Sequence, residues 1–360
     1  MKKKLKTIFI NYMVFCALLI SLELCLQIVY FAINGRFLFT PPPPTPNEEI
    51  FEIHPYLAGR LKKTSGTSLN QIKITTTQKN TRFTGANLED TSLTRVGVFG
   101  GSTTFGTGVT DEDTWPALLQ EKLGSKFAVI NYGAPGYSTA ENIIQMALIA
   151  PEDELDIVIF YEGWNDIRNY HNELIGADYY GHGIEQYSNL GLNSYVSTSN
   201  RSKPGFNELK NIFVTLRLIS KVSKPIIENE IITSFEKADP FVDDLYRRNL
   251  RTLKALSHNI EAYPIFIPQV LNYTQFLRNG ESTSIWSSRI KNKSMPELLD
   301  RFNGFMNDLC PSPVLECTVL NEVLDAQWKD EHFVDDGHFN RAGGLIISEI
   351  VAKYILDLEN

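Results

Sequence analysis

Five short apolar runs alternate with helical patterns over residues 95–358, and this alternation most constrains how the chain can fold. The predicted strands are Arg95–Phe99, Phe127–Asn131, Asp156–Tyr161, Tyr263–Pro268 and Val314–Leu320. The predicted helices are Trp115–Leu123, Ala140–Ala150, Phe241–Asn259, Met295–Leu309 and Arg341–Leu358. Because strands that alternate with helices are typical of a parallel sheet, we expect an α/β fold with helices on both faces of the sheet.

The N-terminus predicts a membrane-spanning helix. Four lysines among the first six residues precede an apolar stretch from about Ile8 to Ile33, which is long enough at helical rise to cross a bilayer. Basic residues before the span, and only Arg36 soon after it, favour a cytoplasmic N-terminus and an exported body. A cleaved signal peptide is the alternative. Since no small-residue cleavage site follows the stretch, we expect an uncleaved anchor.

The rest of the chain is expected to follow in four parts. After the basic segment and anchor (1–34) come a proline-rich spacer (35–47), an N-terminal extension packing on the core (48–93) and the α/β domain (94–360). An insertion at about 168–238, rich in Tyr, Asn, Gly and Ser, interrupts the alternation of strands and helices. Because it begins just past the carboxyl end of a strand, we interpret it as a cap over that edge of the sheet.

Charge indicates which macromolecules the chain can bind, and the cysteines indicate whether it has a disulfide or a metal site. The chain has 34 Lys and Arg against 42 Asp and Glu, and its N-terminus is basic, so the exported part is strongly acidic and a nucleic-acid role is disfavoured. Cys310 and Cys317 flank a proline-bearing segment and would form a local disulfide in an oxidising compartment. Two unpaired thiols are the alternative, and a metal site would need further ligands that the sequence does not supply.

A serine lies in the glycine-rich turn after the first predicted strand. Ser102 is therefore expected at the carboxyl end of a strand, the edge where open α/β sheets place their ligands. A serine reacts as a nucleophile only with a base and with donors for the developing oxyanion. Gly136 follows the second strand and Asn165 the third, which makes a backbone N–H and a side-chain amide candidate donors.

The candidate base lies before the last predicted helix. His338 is suited to take a proton near neutral pH, and Asp335, three residues earlier, can hold its far ring nitrogen. Trp164 and Tyr137, beside the candidate oxyanion donors, are candidate substrate-binding residues. An aromatic residue at such a position is equally typical of the core.

Together these segments resemble the SGNH (GDSL-type) hydrolase superfamily, whose four sequence blocks they match in order. The matching segments are Gly100-Gly101-Ser102, Gly136, Gly163-x-Asn165-Asp166 and Asp335-x-x-His338. The sequences around the first two blocks are similar to a membrane-anchored, exported bacterial branch of the superfamily. One position departs from the pattern, since Gly101 stands where the family usually has an aspartate.

The resemblance implies a flavodoxin-like α/β/α sandwich, a triad of Ser102, His338 and Asp335, and an oxyanion hole made by the N–H groups of Ser102 and Gly136 with the Asn165 side chain. It also implies metal-independent, cofactor-free hydrolysis of acyl esters, often acetyl esters of carbohydrates. The expected substrate is an acylated small molecule or glycan outside the cytoplasm.

Two other functions fit the same pattern. An O-acyltransferase modifying an envelope polysaccharide would use the same triad and acyl-enzyme. A non-catalytic envelope assembly protein could retain the fold, but the intact set of site residues argues against it, because sequence drift would damage at least one of them. A flavin-binding role finds no phosphate-binding loop in the sequence and leaves Asp335 and His338 unexplained.

Overall fold

The chain divides into two compact units. The computed structural model describes residues 2–40, 49–57, 59–63, 66–69, 72–190, 209, 212–219, 235–284, 287–310 and 316–358. Met1–Pro44 and Ser194–Ile231 form the helical unit, and Thr45–Asn193 and Ile232–Asn360 form the sheet unit. The predicted spacer and the predicted insertion both lie partly outside the described residues.

The helical unit is dominated by one long apolar helix. Helix α1 spans Lys2–Asn34, and an 18-residue window within it has a mean hydropathy of 2.2, so it is long and apolar enough to cross a membrane. Its large apolar side chains are exposed, with Leu5 69% and Phe9 64% accessible. That pattern suits a helix surrounded by lipid better than one in water.

Two polar side chains of α1 hold a segment of the insertion. Glu23 accepts hydrogen bonds from the backbone N–H groups of Val214 (2.7 Å) and Thr215 (3.0 Å), and Gln27 donates to the carbonyl of Ile212 (2.8 Å). Residues 214–219 form a short helix whose first N–H groups Glu23 thus satisfies. This short helix therefore belongs with α1 in the helical unit.

The elements of the sheet unit match the predicted ones closely along the core. Its strands are β1 (Phe51–Glu52), β2 (Arg60–Leu61), β3 (Gly66–Leu69), β4 (Ile72–Thr75), β5 (Thr94–Gly100), β6 (Phe127–Asn131), β7 (Ile157–Tyr161), β8 (Tyr263–Phe266), β9 (Thr283–Ser284), β10 (Ser287–Lys291) and β11 (Thr318–Val319). Its α-helices are α2 (Ser102–Phe105), α3 (Trp115–Leu123), α4 (Thr139–Leu148), α5 (Trp164–Ile167), α6 (Tyr180–Asn189), α7 (Pro240–Asn259), α8 (Tyr273–Asn279), α9 (Met295–Leu309), α10 (Glu322–Asp325) and α11 (Arg341–Leu358).

Five strands form the central sheet in the order β11-β8-β7-β5-β6, and every neighbouring pair is parallel. The predicted five-stranded parallel sheet is confirmed. In order of appearance these strands run 2-1-3-4-5, the doubly wound arrangement in which ligands bind where the winding reverses, between the first strand and the third. Those strands are β5 and β7, and the turns after them carry Ser102 and Asn165.

Alternate residues of each core strand point to opposite faces of the sheet, so two apolar layers form. Val98 of β5 and Ile159 of β7 pack with α3 and α11, whereas Phe99 and Phe160 pack with α4, α7 and α9. Helices therefore cover both faces, as the strand and helix alternation predicts. β1 pairs with β2, β3 with β4 and β9 with β10, all antiparallel and outside the central sheet.

Candidate active site

Three side chains from distant parts of the chain form a hydrogen-bonded row at the carboxyl edge of the sheet. Ser102 begins α2, two residues after the end of β5, and Asp335 and His338 lie in the loop before α11. Ser102 Oγ is 2.7 Å from His338 Nε2, and His338 Nδ1 is 2.7 Å from Asp335 Oδ2. The structure thus brings together, in the expected order, the three residues that the sequence predicts as a triad.

The environment of Asp335 determines how protons are placed along this row. Burial raises the pKa of the Asp335 carboxyl, but hydrogen bonds and charge from His338, with the N–H groups of Gly337 and His338, lower that pKa below its usual value. An ionised carboxylate only accepts hydrogen bonds, so His338 Nδ1 donates to it. Nε2 is then the nitrogen that accepts the hydrogen bond from the Ser102 hydroxyl, which is the orientation a general base requires.

Asn165 and Gly136, the candidate oxyanion donors, line the same cavity as Ser102. Asn165 Nδ2 donates to the carbonyl of Tyr137 at 2.8 Å, which holds the amide beside the Gly136 turn. Gly136 has a φ of +81°, in the left-handed region that favours glycine. Gly133 in the same turn packs against the backbone of α2 and is not a lining residue of this cavity, which favours Gly136 as the donor.

The glycine before the nucleophile makes room for the Asn165 amide. A Cβ built on Gly101 would lie 2.4 Å from Asn165 Nδ2 and 3.1 Å from the carbonyl oxygen of Tyr137. Any larger residue at this position would displace the amide, because a carbon atom cannot approach a nitrogen so closely. Glycine at position 101, in place of the expected aspartate, therefore leaves the space that the Asn165 amide occupies in this chain.

The row of three side chains opens into a cavity of about 350 Å³. One end is polar and is formed by Ser102, His338, Asn165 and Gly136. The other end is apolar. Its apolar side chains come from the N-terminal extension, from α2 and from the end of α6: Ile50, Phe51, Ile72, Ile74, Phe105 and Leu190.

Sequence reasoning missed several polar residues of this cavity, among them Gln186 and Arg168. The Gln186 amide from α6 lies against Gly136, where an added Cβ would be 2.0 Å from it, and it donates to the carbonyl of Pro135. Arg168, at the end of α5, lines the cavity as well. Neither residue lies in a recognisable motif. The only sequence signal was their place in the insertion that follows a core strand.

The structure does not bring Trp164 and Tyr137 to the cavity. Trp164 is 4% exposed and stacks on Phe276 in the core, and Tyr137 is 2% exposed and donates its hydroxyl to the carbonyl of Gly59. Both side chains fill space behind the turns that carry the site. This position corrects the expectation that they contact substrate.

A second set of titratable side chains is sealed beneath the insertion. Glu141 is 3.3 Å from His182 Nε2, and the Tyr179 hydroxyl donates to Asp166 at 2.9 Å. Glu162 accepts a hydrogen bond from Asn142. The four titratable residues of this set, defined as Glu141, Glu162, Asp166 and His182, are at most 5% exposed, and we call them the buried set.

Burial acts differently on each member of the buried set. Burial raises the pKa of Glu162 well above its usual value, with the charge of Asp166 adding to the shift, and burial raises the pKa of Asp166 to about 6. Burial also opposes the charged forms of Glu141 and His182, but their mutual attraction outweighs it. The pKa of Glu141 is lowered and that of His182 is raised. These two therefore form an ion pair.

Cys310 and Cys317 are joined by a disulfide, with their Cα atoms 5.8 Å apart. The bond lies after α9 and closes the segment that leads to β11. Within the part of the chain that the structure describes, no group of three or more His, Cys, Asp or Glu is placed to hold a metal ion.

The family model of the GDSL-like lipase/acylhydrolase family matches residues 98–344. The chain belongs to this family. It is a GDSL-like acylhydrolase, an enzyme that hydrolyses ester bonds, as the sequence predicts. The match begins within β5, so the N-terminal extension lies outside the family domain. Among curated proteins, no sequence matches significantly.

The solved structures that match this GDSL-like acylhydrolase are distant from it in sequence. A lipase/acylhydrolase from Enterococcus faecalis is 14% identical, with a TM-score of 0.41, covering 73% of this chain and 95% of its own. A mutant acetyl-xylooligosaccharide esterase from Geobacillus Stearmophilus is 13% identical, with a TM-score of 0.41, covering 73% and 94%. A psychrotrophic esterase from Pseudoalteromonas sp. is 13% identical, with a TM-score of 0.39, covering 74% and 100%.

Proposed function

We propose that this acylhydrolase is a serine esterase in which Ser102 is the nucleophile, His338 the general base and Asp335 the residue that orients the imidazole. The observation that carries the proposal is the continuous row from Ser102 Oγ through His338 to Asp335, with both contacts at 2.7 Å, at the wall of a cavity. A hydroxyl next to a base that a carboxylate orients is the arrangement needed for nucleophilic attack on an ester.

In the acylation step, Ser102 Oγ bonds to the ester carbonyl carbon while its proton moves to His338 Nε2. The carbonyl oxygen becomes an oxyanion, which accepts hydrogen bonds from the N–H groups of Ser102 and Gly136 and from Asn165 Nδ2. The bond from the carbonyl carbon to the alcohol oxygen then breaks, and the alcohol leaves with the proton from His338. Asp335 stabilises the imidazolium that exists between these events.

In the deacylation step, a water molecule takes the place of the alcohol. It gives a proton to His338 and bonds through oxygen to the acyl carbon, and the Ser102 ester bond breaks as the serine regains that proton. The products are a carboxylic acid and the free enzyme. If a sugar hydroxyl replaced the water, the same steps would transfer the acyl group, which is the acyltransferase alternative.

A second cavity supports a polar alcohol as the leaving group. This cavity, of about 470 Å³, shares Arg168 and Asn189 with the first, and its other lining residues are Glu185, Ser188, Ser287, Ser288 and Arg289. Hydroxyl, amide, carboxylate and guanidinium groups suit the hydroxyls of a carbohydrate. We therefore propose an acylated glycan or similar polar ester as the substrate. With α1 as an uncleaved anchor and a cytoplasmic N-terminus, the site would act on envelope esters outside the cytoplasm.

A fluorophosphonate probe tests the proposal. With the full-length chain in lipid nanodiscs, we expect covalent labelling of the wild type and of Ser92→Ala, which removes an exposed serine, and none of Ser102→Ala. Ester hydrolysis should fall by about 10⁶-fold in Ser102→Ala, with an unchanged thermal midpoint. Equal labelling of Ser102→Ala, or no labelling of the wild type, would contradict the assignment. Mass analysis after incubation with an acetylated glycan and an acceptor sugar separates hydrolysis from transfer.

A further inference from the structure

The apolar end of the active-site cavity is built largely by a part of the chain outside the family domain. Four of its apolar side chains, Ile50, Phe51, Ile72 and Ile74, belong to the N-terminal extension, whereas the family match starts at residue 98. With Phe105 and Leu190 they form one apolar cluster, which we call the extension wall. The extension thus contributes to the active site as well as to packing on the core.

Buried polar contacts hold the extension wall against the loop that follows the nucleophile. Arg82, from the same extension, is 1% exposed and donates to the carbonyls of Phe105, Gly106 and Val109 at 2.7, 2.7 and 2.8 Å. Its guanidinium carbon also lies 4.6 Å above the Phe105 ring. Since α2 contains both Ser102 and Phe105, these bonds hold the wall at a set distance from the nucleophile.

Two further contacts complete the attachment of the extension. Asp111 accepts hydrogen bonds from the Thr75 N–H (2.9 Å) and from Arg82 Nε (3.2 Å), which ties the end of β4 to the same loop. On the side of the insertion, the Tyr187 hydroxyl donates to the carbonyls of His54 (2.6 Å) and Leu57 (3.0 Å). The wall is therefore held from both sides and is preformed.

We infer that the extension wall is the binding site for the acyl chain of the substrate, and that it selects a chain longer than acetyl. This inference rests on the proposed function. With the ester carbon at Ser102 and the oxyanion at Gly136 and Asn165, the apolar end receives the alkyl tail. At about 30 Å³ for each non-hydrogen atom, 350 Å³ holds on the order of ten atoms, which fits an acyl chain of about four to eight carbons. An acetyl group would leave most of the apolar surface uncovered.

The chain-length profile of the full-length enzyme in lipid nanodiscs tests this inference. Each buried methylene is expected to raise kcat/KM about fourfold. We therefore expect kcat/KM for p-nitrophenyl hexanoate to exceed kcat/KM for p-nitrophenyl acetate by more than about tenfold. The same comparison uses fluorophosphonates with a methyl or a hexyl group on phosphorus: the Ser102 Oγ–P bond forms, the P–F bond breaks, and the serine proton passes through His338 to solvent with the fluoride. Labelling rates then report the preference even if the enzyme transfers acyl groups and hydrolyses poorly.

Variants in the wall sharpen the test. Ile72→Trp fills the apolar end and should lower the ratio of hexanoate to acetate by about tenfold, whereas Ile53→Trp, an exposed position in the same extension that does not line the cavity, should leave the ratio unchanged. Ile74→Ala enlarges the cavity and should shift the optimum to longer chains. If Ile72→Trp loses acetate cleavage as well, the chain-length optimum of Ile74→Ala decides whether the extension wall binds the acyl chain.

Failure of the serine esterase assignment and failure of the acyl-site inference give different experimental results. If neither the methyl nor the hexyl probe labels Ser102, the serine esterase assignment fails and the inference fails with it. If labelling is normal but acetate is preferred, the inference is overturned while the esterase assignment stands. The same holds if Ile72→Trp matches Ile53→Trp.

Discussion

The row of Ser102, His338 and Asp335 and the buried set contain similar chemistry in different surroundings. Both combine carboxylates with a histidine. The row of three lines a cavity, and the Asp335 side chain is 40% exposed. The buried set is sealed, and its groups bond only to other protein groups among the described residues. The two sets therefore differ in their access to substrate. The row of three can react with a bound ester, whereas the buried set fastens the insertion to the core.

The largest effect in this comparison is expected on catalysis, at Asp335 in the row of Ser102, His338 and Asp335. Asp335→Asn should lower kcat by about 10⁴-fold with little loss of stability, because an amide no longer stabilises the imidazolium or holds the correct tautomer. The measurement is steady-state hydrolysis together with a thermal midpoint. Asp336→Asn is the matched control. Its carboxyl is hydrogen-bonded by Gln275 instead of by the imidazole, so its kcat should stay within a few-fold of wild type. An equal loss in both variants would refute the assigned role of Asp335.

A smaller effect, on stability, is expected at the ion pair of the buried set. His182→Phe leaves Glu141 as an uncompensated buried carboxylate and should cost about 3–5 kcal/mol of unfolding free energy. Chemical denaturation followed by tryptophan fluorescence measures the loss. The double variant Glu141→Gln with His182→Phe removes both charges and should recover a large part of it. If the single and double variants are equally unstable, the pair contributes through packing and not through charge.

The smallest effect is expected at Glu162, and it depends on pH. The folded-state pKa of Glu162 lies well above the unfolded value, so between the two values folding takes up a proton and stability falls as pH rises. Glu162→Gln removes this proton uptake. The variant should equal wild type near about pH 4.5 and become progressively more stable than wild type as the pH rises towards neutral. Thermal midpoints across this range, with the exposed Glu152→Gln as control, provide the measurement. A constant difference at all pH values would contradict the raised pKa.

Much of the central fold and of the reactive row could be predicted because the signals are local. The first three core strands, β5, β6 and β7, are apolar runs that end in glycine turns, and parallel strands bring their carboxyl ends to one edge. Ser102, Asn165 and His338 could therefore be placed together from separate short motifs. The predicted strand Val314–Leu320 shrinks to Thr318–Val319, and residues 311–315 lie outside the described residues.

The extension wall and the buried set could not be predicted, because their contacts join residues that no local pattern connects. Arg82 meets Asp111 across 29 positions, and a lone arginine in a polar segment gives no sign of being buried. Tyr170 and Tyr179, both in the insertion, are buried, and their hydroxyls donate hydrogen bonds to Asp243 and Asp166. Such partners become visible only once the tertiary fold brings them together.

The contact between Glu23 and the segment 212–219 has a consequence for handling the protein. The insertion leaves the sheet unit, contributes to the helical unit and returns, so deletion of the first 44 residues does not produce a clean water-soluble fragment. Such a fragment would keep Phe213, Leu218 and Ile219, already at least 39% exposed, and would lose the helix they accompany. A version of the protein that resists aggregation must lack both residues 1–44 and residues 194–231, with residue 193 joined to residue 232.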